Sequence, residues 1–163
     1  DGTKTITCDD GTSVSVSDGA DGADGMDGMD APEPCAGVVT DFVDNLDGTV
    51  TDCRTGPNHG RMWQQTVDAG NYVPKDGSRS YCEGLYLSGG GWRVPVKEEL
   101  ESLVVLGQTP IDPTIDRIAF PNTPSLPVQS STYYPAGTGV WGVNFLDGSG
   151  SELIFSSAVR CVR

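Results

Sequence analysis

Five cysteines, one histidine and several closely spaced carboxylates are the residues of this 163-residue chain whose types could do chemistry. General base catalysis needs a histidine or a carboxylate held near neutral pKa at a reacting atom. The single histidine, His59, stands in Pro57-Asn-His-Gly60, a turn sequence that reads as a solvated loop. No nucleophile elbow, phosphate-cradling glycine loop or HExxH occurs, so the chain reads as no enzyme. Asp44, Asp47 and Asp52 are near enough in sequence to line a calcium site, the one cofactor considered. Their spacing is not that of an EF-hand loop, and Asp beside Asn and Gly builds turns as readily. Glu98, Glu99 and Glu101 read as a solvated helix face. The cysteines lack the close Cys/His pairs of a zinc site. In a chain that starts at Asp1 and reads as a mature, exported one, an odd five predicts disulfides with one thiol left over. Trp63, Trp92 and Trp141 read as core or subunit-interface residues, the alternative being a flat aromatic platform for sugar.

The elements that position these residues differ along the chain. Residues 1–34 hold nine acids and one base, a net −8, and no aromatic residue; residues 35–163 hold 14 acids and 9 bases, a net −5, with every Trp, Tyr and Phe. Only the second part can bury a core. The overall charge of −13 disfavours nucleic acid and anionic lipid as partners, and no apolar run is long enough to insert in a membrane. Lys4-Thr-Ile-Thr-Cys8 and Thr12-Ser-Val-Ser-Val-Ser17 alternate around Asp9-Asp10-Gly11, which predicts a β-hairpin over 1–18. With Ile6, Val14 and Val16 alone to bury, it either stays disordered or adds its strands to a neighbouring subunit. Gly19, Gly22, Gly25 and Gly28 then recur at a strict period of three over 19–30. That is the pattern a triple helix needs at its crowded axis; a flexible acidic linker is the alternative. A collagen-like reading implies three chains. Residues 31–37, with Pro32 and Pro34, form the linker.

From residue 38 the pattern is of short strands between turn signals: Val38–Val43 and Gly48–Asp52 about Asn45-Leu-Asp47-Gly48, Arg61–Gln65, then Val140–Phe145 and Ser151–Phe155 about Asp147-Gly148, and Ala158–Val162 last. Ser78 is placed to cap a short helix, and a second is predicted from Pro95 at its first position to Leu106, with Gly107 its stop. The class is α+β, with antiparallel strands and two short helices, preceded by the stalk and hairpin.

The series Asp44-Asn-Leu-Asp-Gly-Thr-Val-Thr-Asp52, Met62-Trp-Gln64, Tyr81-Cys82, Gly90-Gly-Trp-Arg-Val-Pro95, Lys97-Glu-Glu-Leu100, Pro110-Ile-Asp-Pro113, Ala119-Phe-Pro121, Trp141-Gly-Val-Asn-Phe-Leu-Asp-Gly148 and Val159-Arg-Cys-Val-Arg163 resembles the Lcl-type C-terminal domain of bacterial collagen-like adhesins over 38–163. The resemblance implies a compact C-type-lectin-like fold, extracellular display, a homotrimer and, in the best-known adhesins, sulfated polysaccharide as ligand. The chain departs from the pattern at the insertion Pro57–Gly60 and at Gln129, where an aromatic is expected before Ser130-Ser131. Its acidity argues against carrying the polyanionic ligand over. The resemblance also implies a Cys82–Cys161 disulfide. Cys35–Cys53 is the next pairing, which leaves Cys8 either as a free thiol or as an intermolecular link. The reading that follows is a secreted homotrimeric structural subunit of an extracellular collagen-like filament, its N-terminal arm docking on the next trimer. The alternative is a trimeric surface adhesin whose head binds carbohydrate.

Overall fold

A computed structural model describes residues 3–17, 35–67, 72–105 and 114–163. The period-three glycines Gly19, Gly22, Gly25 and Gly28 and the linker prolines lie outside the described residues, as does the expected helix stop at Gly107. The chain divides into two units, 1–31 and 32–163.

In the first unit, β1 (Thr3–Thr7) and β2 (Ser13–Ser17) pair antiparallel with Ile6 opposite Val14. Ile6 and Val14 are 62 % and 64 % exposed. Among the described residues neither strand has a second neighbour, so both outer edges keep unpaired backbone groups.

The second unit is mostly antiparallel sheet with two short helices. β3 (Phe42–Asp44), β4 (Thr49–Asp52) and β5 (Met62–Gln64) form one three-stranded sheet in that order; β6 (Pro127–Tyr133), β7 (Val140–Asn144) and β8 (Gly150–Leu153) form the other. Strand β3 begins four residues later than expected, and β6 is a strand where the sequence suggested none. Its buried stretch is Val128, Gln129 and Ser130, inward on both sides of the strand, and the last two are polar residues held by hydrogen bonds, so no alternation of apolar residues announces it. Trp63, Leu100, Leu103, Ile115, Phe120, Val128, Val143, Phe145 and Val162 form the main core; Trp92, Val94, Val159 and the Cys82 and Cys161 side chains form a second cluster.

What joins the two sheets is the segment 157–163. The Cys161 and Arg163 carbonyls accept from Gln64 N (3.0 Å) and Met62 N (3.1 Å), extending the first sheet beyond β5. Val162 exchanges two 2.9 Å bonds with Arg93, and Gln129 N donates to Ala158 O at 2.9 Å, reaching β6 of the second sheet. The segment is buried from Ser157 to Val162.

Three of the connections between neighbouring strands, β1–β2, β3–β4 and β7–β8, turn on one device. Asp10-Gly11-Thr12, Asp47-Gly48-Thr49 and Asp147-Gly148-Ser149 each place the Asp Oδ1 against both the amide (3.0, 3.0 and 2.9 Å) and the hydroxyl (2.6, 2.5 and 2.7 Å) of the third residue. Each central glycine has a positive φ, near +80° in all three, where a Cβ is strained. The environments differ: a Cβ on Gly148 would lie 2.9 Å from Val104 Cγ1, whereas one on Gly11 meets nothing within 4 Å. Gly148→Ala is therefore expected to destabilise the second unit by about 2 kcal/mol, left-handed strain plus crowding, while Gly11→Ala leaves its melting unchanged. Thermal unfolding of the two variants checks this.

Helix α1 (Ser78–Glu83) starts one residue earlier than a Ser78 cap requires. Gly77 is the capping residue, and the Ser78 hydroxyl donates to Lys75 O at 2.7 Å from inside the first turn. Helix α2 (Lys97–Glu101) is less than half as long as expected. It is entered from extended Val96 and ends at Ser102, whose hydroxyl donates back to Glu99 O (2.7 Å). Arg54 and Asn58 close that end, donating to Ser102 O (2.6 Å) and Ser102 Oγ (2.7 Å). Asn58 comes from the Pro57–Gly60 insertion, which thus serves as a helix stop.

Candidate functional site

The sequence-predicted carboxylates do not converge. Asp44 Oδ1 accepts Leu46 N (2.8 Å), Asp47 is the turn acceptor for Thr49, and Asp52 takes Arg54 in a fork at 2.9 and 2.5 Å. Each is spent locally, and among the described residues no three His, Cys, Asp or Glu side chains gather as a metal site. The Thr49 hydroxyl bond, helped by the Thr49 amide, lowers the Asp47 pKa; the matching Thr12 and Ser149 bonds do the same for Asp10 and Asp147. These are acids tuned to stay ionised and hold turns. His59 is exposed, with Nδ1 3.3 Å from Arg54 O.

Glu99 corrects the reading of α2 as a solvated acidic face. It is 6 % exposed and is held by two arginines, Arg61 and Arg93. Arg93 donates to both its oxygens (2.8 and 2.7 Å), Arg61 to Oε1, and the Val96 amide to Oε2 (2.9 Å). That last bond is the carboxylate half of a capping box; Val96 has no oxygen to return the other half. Burial alone would raise the Glu99 pKa, but the Arg93 bonds, the Val96 amide and the two guanidinium charges outweigh it and leave it lowered. Helix spacing sets position 99 four residues before buried Leu103, but the arginines that make a buried carboxylate tolerable come from outside the helix, so nothing local announces its burial. Glu98 and Glu101 are exposed as expected.

Arg160 was also missed. It is fully buried in the closing segment, donating to Gln65 O (2.8 Å) and Thr123 Oγ1 (2.7 Å), with its guanidinium 4.5 Å from the Phe120 ring centre. Burial pulls its pKa down to about 9, so it stays charged at neutral pH.

Of the tryptophans, Trp63 and Trp92 are core residues, and Trp92 Nε1 donates to Leu87 O at 2.7 Å. Trp141 is half-buried against Tyr134 (ring centres 4.6 Å apart), with Lys97 Nζ 4.9 Å above its ring. The cysteines pair as Cys35–Cys53 and Cys82–Cys161, and Cys8 is free and exposed. The second bond pins the closing segment to α1. Residues 48–163 match the Lcl C-terminal domain family. The chain belongs to that family. The match begins inside the β3–β4 hairpin, so β3, which completes the first sheet, stands just ahead of it. No curated protein matches the sequence. No helix among the described residues is long and apolar enough to cross a membrane.

One concave surface of the Lcl domain gathers charge. Lys75, Arg79 and Arg93 line a cavity of about 400 Å³ with one acid, Glu83, and a wall of Tyr133 and Val140. Lys75 Nζ donates to Thr138 O, and Arg79 pairs with Glu83 at 2.8 Å. Composition could not show this, because the three bases are separated in sequence and the domain as a whole is acidic.

Proposed function

We propose that this chain is a secreted, non-enzymatic structural protein. It forms homotrimers through a short collagen-like stalk, and these join through the N-terminal arm into an extracellular filament. The observation that carries the reading is the hairpin at 3–17, a two-stranded unit with open edges and an uncovered Ile6–Val14 pair, next to glycines at period three. A bare hairpin is marginal in water, so its missing neighbour is supplied by another subunit. A head-to-tail contact of that kind does not close on itself and propagates a fibre. Two disulfides suit an oxidising, extracellular setting, and Lcl family membership suits a surface protein. Negative-stain electron microscopy of the full chain should show regular fibres, lost on deletion of residues 1–17. Separate knobbed trimers from the intact chain would overturn the filament.

A second reading, a surface adhesin whose head binds carbohydrate, draws on the half-exposed Trp141–Tyr134 ring pair. Glycan-array binding abolished by Trp141→Ala would favour it.

A further inference from the structure

The basic cavity and the tip of the hairpin are opposite in charge. Of the three bases in the cavity, Arg93 is held by Glu99 and Arg79 by Glu83, while Lys75 donates to Thr138 O and pairs with no carboxylate among the described residues. The Arg79 side chain is 85 % exposed despite its pair, so Lys75 and Arg79 are the two bases open to a partner. The N-terminal 34 residues, by contrast, carry a net −8. At the hairpin tip Asp10 is consumed by Thr12, whereas Asp9 is exposed and has no hydrogen-bond or ion-pair partner among the described residues. Behind the tip, Ile6 and Val14 present an apolar pair; in the cavity wall Tyr133 is 77 % exposed.

We propose that the cavity lined by Lys75, Arg79 and Arg93 in one copy of the chain receives the hairpin tip of a second copy. Asp9 meets Lys75 and Arg79 there, and Ile6 and Val14 lie against Tyr133. This rests on the filament reading above and names the surface that receives the arm. A single exposed ion pair is weak, but a trimer presents three arms to three cavities, and such contacts multiply when they engage together. The charged share of the contact is screened at high salt, where the Debye length falls to about 3 Å at 1 M.

The test uses the full chain at low salt, with pelleted fibre and electron microscopy as readouts. Asp9→Lys leaves the head untouched, and Lys75→Glu with Arg79→Glu leaves the arm untouched. Each is expected to lower fibre mass about tenfold, and combining them restores fibres by reversing both charges. Lys75→Gln with Arg79→Gln, which adds no repulsion, should give an intermediate loss. If the cavity variants assemble like the parent while deletion of 1–17 abolishes fibres, the arm docks elsewhere and this assignment falls, with the filament reading intact. If the parent itself forms no fibres, both fall. If the combined variant stays unassembled while both sets of single changes fail, the pairing of Asp9 with this cavity is wrong.

Discussion

Replacing Cys82 and Cys161 by alanine should cost the Lcl domain about 4 kcal/mol, against about 3 kcal/mol for Cys35 and Cys53. The difference follows from the sequence separations, 79 and 18 residues, because a longer closed loop removes more freedom from the unfolded chain. The larger loss is expected to lower the melting midpoint by roughly 15 °C for a domain of this size. It should also show a local signature. Without the bond the 157–163 segment keeps its backbone pairing, its burial and the Arg160 hydrogen bonds but loses its covalent tie to α1, so its amides, Val162 above all, should exchange faster than those of β4. Thermal melting and hydrogen exchange on the two double variants check both points. Equal losses from the two pairs would rule out loop closure as the source.

Glu99→Gln is the second large effect. The substitution keeps the shape of the side chain and removes the charge that two arginines share. Removing one partner of a buried pair costs roughly 3–5 kcal/mol; Arg61 and Arg93 are partly exposed and can turn to water, which places this case near 3. The pH dependence carries a sign. Glu99 has a folded pKa below its ordinary 4.5, so its contribution is complete above that value and is lost as pH falls through the folded pKa. The parent should lose stability on acidification below about pH 4.5, and Glu99→Gln should lose less over the same window. Asp10, Asp47 and Asp147 share the direction and keep a residual slope in the variant. Urea unfolding at stepped pH measures it; identical slopes would show that Glu99 is not what acid attacks.

Local chemistry was legible in the sequence, and long-range chemistry was not. Asp-Gly followed by Thr or Ser announced all three turns, because everything the turn needs lies within three residues. The antiparallel class, the two helix sites and the core tryptophans 63 and 92 were readable for the same reason. Strand β6 was not, since its buried Gln129 and Ser130 are satisfied by Val73 O and Trp141 O, partners 56 and 11 residues away. Nor was the burial of Glu99, whose partner Arg61 stands 38 residues off. The length of α2 failed by a different route. Helix periodicity runs on past Ser102, but Arg54 and Asn58 reach in from a loop to end it. The basic cavity could not be seen at all, because net charge averages over the surface that a partner meets piece by piece.

The seam at 157–163 also sets an order of events. These residues follow every other element of the head in the chain, yet they bridge both sheets and carry one half of the longer disulfide. A polypeptide that emerges amino end first thus presents its arm, both sheets and Cys82 before the piece that unites them. Until Val162 arrives, β5 and β6 keep bare edges and the Cys82 thiol stays unpaired. Heads can then pair with the wrong neighbour, or Cys82 with the exposed Cys8 of a chain nearby. The head is united only once residues 157–163 have been made.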